Sequence, residues 1–443
     1  MTGAAVPPRR LRPEDWALLN YEKRGRHTSL EFGIACRFTT TALSASALRA
    51  LVAARLPEVP DLTFVLDQPG HRWRSPQWRT TDPDLTWHVR DVPLYRVNGV
   101  ASVARTLERA ANTVLPRDRP LWEMLVLEPL DGSQWVALRV NHALFDAVSV
   151  IEVLRRLFGD RVTAASITCS PEQPMPLGRR LRETARLGWA LPRMARRMVP
   201  LTGPAFTASG LTGQRRMAWA HLDDDRLRAA AARHGVTSNE AFLSALAGAL
   251  REWPHTPWRR GIRPVWTFVP CDLRDGADPV ELGNNIGALR IRLPCDEPDP
   301  VRRLHVVAAA SSAEKARSMP VMRIARAVLP GWLIRVMFAI SLSRQQVDII
   351  ASHVVQRGAG MTCAGGTMPE MMALGHLPRH RPLGALLVRH SGKLVLQVTA
   401  DAGIADPGTL CRLWAEKVDE LAALPPQGDV IPPRPSAPRI PLS

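Results

Sequence analysis

Residues 134–158 constrain this chain more than any other stretch. Gln134 to Val140 alternates, with Val136, Leu138 and Val140 on one face, as a half-buried strand requires. It runs straight into Asn141-His142-Ala143-Leu144-Phe145-Asp146-Ala147, after which Ile151, Leu154, Leu157 and Phe158 recur at helical spacing. Strand, short polar loop and helix in 25 residues imply an α/β protein with a sheet at its centre. A histidine on such a loop is held by rigid scaffold and can still face a cleft. Neutral imidazole is also the natural base at pH 7 for taking a proton from a hydroxyl or an amine. Asp146, four residues on, could brace the loop by pairing with an arginine. His-x-x-x-Asp alone says little, because a structural histidine has the same spacing.

The rest of the chain divides into two halves. Residues 1–10 read as a frayed tail, 11–166 as a half carrying the histidine loop, 167–214 as a linker, 215–424 as a second half, and 425–443 as a proline-rich tail. The linker is marked by prolines at 171, 174, 176, 192, 200 and 204 around an arginine-rich stretch, Arg179 to Arg197. The second half opens with helical spacing from Asp224 to His234. The next helix begins at a capping box, Thr237 with Glu240. Strand-like Val265 to Val269 leads to Pro270-Cys271-Asp272-Leu273-Arg274, and Leu394 to Thr399 reads as a late strand.

Composition narrows the class. The 443 residues carry 58 basic and 41 acidic side chains, a net charge of +17, almost all of it arginine. Because the arginines are scattered, no nucleic-acid partner is expected. No signal-like segment or membrane-length apolar run occurs, and the six cysteines are widely spaced, so a cytoplasmic protein with reduced thiols and no metal is expected. Gly358-Ala359-Gly360 does not complete a dinucleotide fingerprint.

Arg119-Pro120-Leu121-Trp122-Glu123, followed by a strand and the His142/Asp146 loop, resembles the bacterial wax ester synthase/diacylglycerol acyltransferase (WS/DGAT) family. That family lies within the CoA-dependent, condensation-domain-related acyltransferases that share a chloramphenicol acetyltransferase-like fold and an HHxxxDG motif. The resemblance continues in order through Leu11-Arg12-Pro13-Glu14-Asp15, the Asn239-Glu240 helix, Pro270 to Arg274, Gly283-Asn284, Leu293-Pro294, and Asp401 with Asp406. It implies two acetyltransferase-like αβ subdomains forming a pseudo-dimer, with the active site and a tunnel at their interface. It implies His142 as general base, with Asp146 structural and Arg274 its candidate partner. Asn141, Asn239, Asn284 and His353 are candidate substrate or tunnel residues. The sequence departs from the motif at Asn141, at Ala147, and at Ser352 to Gly358, which replaces a tunnel-shaping segment.

The implied reaction moves an acyl group from acyl-CoA or an acyl carrier protein onto a hydroxyl, with no bound cofactor. One alternative is a natural-product tailoring or condensation-type enzyme forming an ester or amide. Another is a non-catalytic relative that binds an acyl chain or a carrier protein. Arg179–Arg197 and Met322–Leu342 are basic, amphipathic stretches suited to an acidic carrier protein or to peripheral association with a lipid surface.

Overall fold

The computed structural model describes residues 9–23, 30–67, 76–159, 176–198, 203–274, 281–343, 345–356, 360–404 and 406–425. Its two large sheets use β1 (Glu31–Phe38), β2 (Val89–Val92), β3 (Trp122–Leu127), β4 (Gln134–Asn141), β5 (Arg215–Asp223), β6 (Val265–Asp272), β7 (Ile286–Leu293), β8 (Ile349–Val355), β9 (Glu370–Leu374), β10 (Leu383–His390) and β11 (Lys393–Asp401). Around them lie α1 (Pro13–Lys23), α2 (Ala147–Phe158), α3 (Leu177–Met198), α4 (Ser238–Glu252), α5 (Pro300–Val328), α6 (Gly331–Ser341) and α7 (Pro407–Ala423). The first sheet runs β9-β1-β4-β3-β2 and the second β5-β11-β10-β8-β6-β7. Both mix parallel with antiparallel pairs.

The strand expected at Gln134 is central, and all eight residues of β4 are buried. Alternation on one face only does not hold, because both faces are covered. Val136, Leu138 and Val140 pack in one core with Val150, Val153 and Leu157 of α2. Trp135 and Ala137 on the reverse side meet Met217 and Val395 of the second sheet. The two halves thus share a core across the back of the sheet that ends in the histidine loop.

The halves are also laced together. β9, from the second half of the chain, pairs antiparallel with β1 as an edge strand of the first sheet. Within the segment read as a linker, α3 is a regular helix packed along α5, with Leu187 buried and Leu181 and Trp189 exposed. The capping box forms as expected: Thr237 Oγ1 accepts the Glu240 amide at 3.3 Å and Glu240 Oε2 accepts the Thr237 amide at 2.8 Å. Every residue of α4 from Glu240 to Leu250 is buried, so this helix is the spine of the second core.

Candidate active site

The loop after β4 is short because α2 starts at once. Asp146 is the N-cap of α2, its Oδ1 accepting the Ser149 amide at 2.8 Å. Ala147 is therefore an ordinary first helical residue with right-handed backbone, and the motif's final glycine can be replaced at no conformational cost. On the other side of His142, the Asn141 side chain is turned away from solvent. Its Nδ2 donates to Glu22 Oε1 at 2.9 Å, and its Oδ1 accepts the Ala143 amide at 2.9 Å. Glu22 in turn accepts the Leu30 amide at 2.7 Å and pairs with Arg117. Asn141 thus ties the loop to α1 and has no contact with the open space in front of His142.

The second half supplies the clamp. Arg274, just beyond β6, reaches Asp146 Oδ2 at 3.0 Å, and its guanidinium also donates to Ser149 Oγ and the Gly283 carbonyl, each at 2.9 Å. Asp146 Oδ2 further accepts the Asn285 amide at 2.9 Å. Asp146 and the Arg274 side chain are both buried, so every hydrogen bond in this pair is made in a low-dielectric interior. The sequence-predicted trio of His142, Asp146 and Arg274 is brought to one place from both halves.

Asn284 sets the histidine's chemistry. Its Nδ2 donates to Asp15 Oδ1 and to the His142 carbonyl, each at 2.8 Å, which leaves Oδ1 to face His142 Nδ1 at 3.2 Å. An amide oxygen can only accept, so Nδ1 carries the proton and Nε2 keeps a free lone pair. Burial holds the imidazole below its ordinary pKa, opposed in part by Asp146 and by the Asn284 bond. The ring is therefore neutral at pH 7, with its basic nitrogen fixed by the partner opposite.

His142 lines a cavity of about 910 Å³ between the halves. Leu18 and Tyr21 of α1, Phe268 of β6, Met322 of α5 and Phe338 of α6 give it an apolar lining. Gly287 is part of that wall, and a Cβ there would sit 2.7 Å from Met322 Sδ. The lining also carries the charged residues Glu14, Arg290, Arg292, Glu314, Arg317 and Arg326. A mostly apolar space with a neutral base in its wall suits an acyl chain and a reacting hydroxyl.

Several expected residues lie elsewhere. Asn239 sits in the first turn of α4 and is not in the cavity wall. His353 is on β8 but on the face that packs against Phe242 of α4, 6.2 Å between rings, and is not in the cavity wall. Burial pushes its pKa to about 4. Ile350, three residues earlier and on the opposite face of β8, does reach the cavity. Arg357 and Gly358 of the departing segment lie outside the described residues.

The histidine that sequence reasoning overlooked is His376. It lines the cavity and meets His142 edge to face, 5.1 Å between rings. Burial, followed by the nearby His142 and Arg215, holds its pKa well below the usual value. Gly375 explains its position, because a Cβ there would lie 2.5 Å from Gln397 Oε1 and 2.7 Å from Thr399 Oγ1. Only glycine lets the chain pass this close to β11 as it leaves β9 for the cavity. A lone histidine 234 positions after His142 carries no sequence signal that would pair them.

Comparison with known proteins shows the family and the fold. The sequence profile of the wax ester synthase/diacylglycerol acyltransferase catalytic domain matches residues 11–201, and that of the WS/DGAT C-terminal domain matches 282–422. A candidate diacylglycerol O-acyltransferase of Mycobacterium tuberculosis is 25% identical over 397 residues, covering 85% of this chain and 82% of the relative. Another from that organism is 30% identical over 279 residues, covering 54% of this chain and 57% of the relative. Among solved structures, the wax ester synthase/diacylglycerol acyltransferase of Marinobacter aquaeolei VT8 aligns with TM-score 0.63 and 18% identity, covering 94% of this chain and all of that one. The starter condensation domain of rhizomide synthetase, solved with C8-CoA, aligns with TM-score 0.64 and 15% identity over 95% of this chain and 96% of its own. The fold is the two-lobed α/β architecture of the chloramphenicol acetyltransferase class. Matched by both of the family's domains in order, with the histidine loop inside the first, the chain belongs to the wax ester synthase/diacylglycerol acyltransferase family.

Proposed function

We propose that this acyltransferase moves a long acyl group from acyl-CoA to the hydroxyl of a lipidic alcohol, with His142 as general base. The observation that carries this reading is the Asn284–His142 contact, which points a neutral Nε2 at an apolar cavity. In the reaction, Nε2 takes the alcohol proton as the oxygen attacks the thioester carbonyl. The tetrahedral intermediate then collapses, the C–S bond breaks, and His142 returns the proton to the departing thiolate. Ester and free thiol form one for one. Asp146, Arg274 and Asn284 position the loop and take no part in proton transfer. A histidine so placed in the cavity wall favours a catalytic protein over a non-catalytic scaffold.

The charge and shape of α6 support delivery of the acceptor from a lipid surface. Ile334, Met337 and Phe338 face the cavity, whereas Trp332, Val336 and Ile340 of the same helix are exposed. No acidic residue occurs from Lys315 to Val347. Among the described residues no helix is long and apolar enough to cross a membrane, so the contact would be peripheral. Cys36, Cys295 and Cys411, buried and unbridged, suit a reducing cytoplasm. An acidic carrier protein as donor is the finer alternative to acyl-CoA.

The test is to incubate purified protein with palmitoyl-CoA and either hexadecanol or dioleoylglycerol, measuring thiol and ester together. Equal amounts of both are expected. Thiol release without ester, or neither product from either acceptor, would contradict the proposal.

A further inference from the structure

The arginines that β7 places in the cavity wall are not used by the base or its clamp. Along β7, Ile286, Ala288, Arg290 and Arg292 all face the cavity, as alternate residues of one strand must. At the strand rise, Arg290 lies about 13 Å and Arg292 about 20 Å beyond Ile286. Ile286 itself follows closely on Asn284, the partner of His142. The guanidinium of Arg290 is fixed from two sides. It stacks 3.7 Å from the Trp266 ring centroid, and its Nε donates to the Gln346 carbonyl at 2.7 Å. Its Nη2 is shielded from solvent and has no hydrogen-bond partner among the described residues. Neither Arg290 nor Arg292 has an ion pair there.

The two acids that act on Arg290, Glu314 and Asp348, are already engaged. Glu314 accepts from Ser318 Oγ at 2.6 Å and from Arg317 at 3.0 Å. Asp348 accepts the backbone amides of Ala205 at 2.6 Å and Trp266 at 2.9 Å. A pre-oriented guanidinium whose shielded Nη2 has no acceptor among the described residues is costly in an empty protein and useful in a loaded one. Two arginines on one strand face, about two residue-rises apart, match an anion with several oxygens better than a single carboxylate.

We propose that Arg290 and Arg292 form a binding site for a phosphate group of a substrate whose reacting end lies at His142. The site deepens the acyl-transfer reading of the cavity and rests on it for the placement of that reacting end. Two substrates could bring the phosphate: the nucleotide portion of a CoA donor, whose pantetheine arm spans a distance of this order, or a phosphorylated lipid acceptor.

Direct binding to the full-length chain distinguishes them without relying on turnover. The probes are adenosine 3′,5′-bisphosphate and a short-chain lysophosphatidic acid, titrated calorimetrically into wild type, Arg290→Gln, Arg292→Gln and, as a control on a remote exposed arginine, Arg412→Gln. The Arg292 side chain is exposed and makes no hydrogen bond or ion pair among the described residues, so Arg292→Gln keeps the test open if Arg290→Gln fails to fold. Weakening of the bisphosphate by tenfold or more in both cavity variants, with the control unchanged, assigns the site to the donor. Weakening confined to lysophosphatidic acid assigns it to the acceptor. Binding of neither probe, or equal affinity in wild type and both cavity variants, overturns the proposal. The same titrations on His142→Ala separate it from the acyl-transfer reading, since that variant should bind as wild type whatever its turnover.

Discussion

The two sides of His142 are built on opposite principles. Behind it, Asp146, Arg274, Asn284 and Asn141 are buried and closely paired, each polar group meeting another across the two halves or within the loop. In front of it, His376 and Arg290 line the cavity, and Arg290 Nη2 has no hydrogen-bond partner among the described residues. Satisfied polar groups position; unsatisfied ones wait for a ligand. The comparison assigns roles that residue type alone would not. Asn141 and Asn284 are both asparagines flanking the same imidazole, yet one ties the loop to α1 and the other selects the tautomer.

The contrast can be broken most severely from behind. Arg274→Met leaves Asp146 as a buried carboxylate without its cation, and should cost about 3–5 kcal/mol of stability, read as a lower urea midpoint at unchanged slope. A loss below 1 kcal/mol would mean that the clamp is ornamental. Asn284→Ala acts more gently on the fold and more specifically on the base. It should lower kcat by about tenfold, the worth of one oriented hydrogen bond. Because that bond raises the His142 pKa, its loss should also move the acid limb of the kcat/KM profile further down in pH. A merely structural asparagine would leave the limb in place.

In the wild type, activity needs the neutral imidazole. The profile should therefore be flat at neutral pH and fall as pH drops through a value below the ordinary histidine range. An acid limb centred at or above pH 7 would be incompatible with a buried His142. The smallest effect is expected from the cavity side. Gly287→Val pushes Met322 into the acyl space, and should raise KM for long acyl chains a few-fold while sparing short ones. Equal effects on both would place the acyl chain elsewhere.

How much of this was legible in the sequence follows the same division. The β4–loop–α2 unit and the capping box of α4 could be read because each is a local pattern of apolar period and cap chemistry. Arg274 and Asn284 could be singled out as residues worth placing near the loop. The partners of Asn284, including Asp15 269 positions away, could not be read, because a hydrogen bond between such distant residues leaves no periodicity. His353 misled because one face of β8 turns to α4 and the other to the cavity, so the register of the strand decides which a residue meets. His376 was invisible for the converse reason. Its place depends on Gly375 passing close to β11, a tertiary constraint with no local signature. The arginine excess was diluted by its spread, and only the strand register shows that Arg290 and Arg292 share the cavity face.

The most direct measurement is the turnover of His142→Ala beside wild type at pH 7, with the thermal midpoint recorded for both. A base that moves a proton in the rate-limiting step predicts a loss of about 10²–10⁴-fold in kcat with the midpoint nearly unchanged. Acyl transfer within a few-fold of wild type from a folded His142→Ala protein would contradict the role given to this residue.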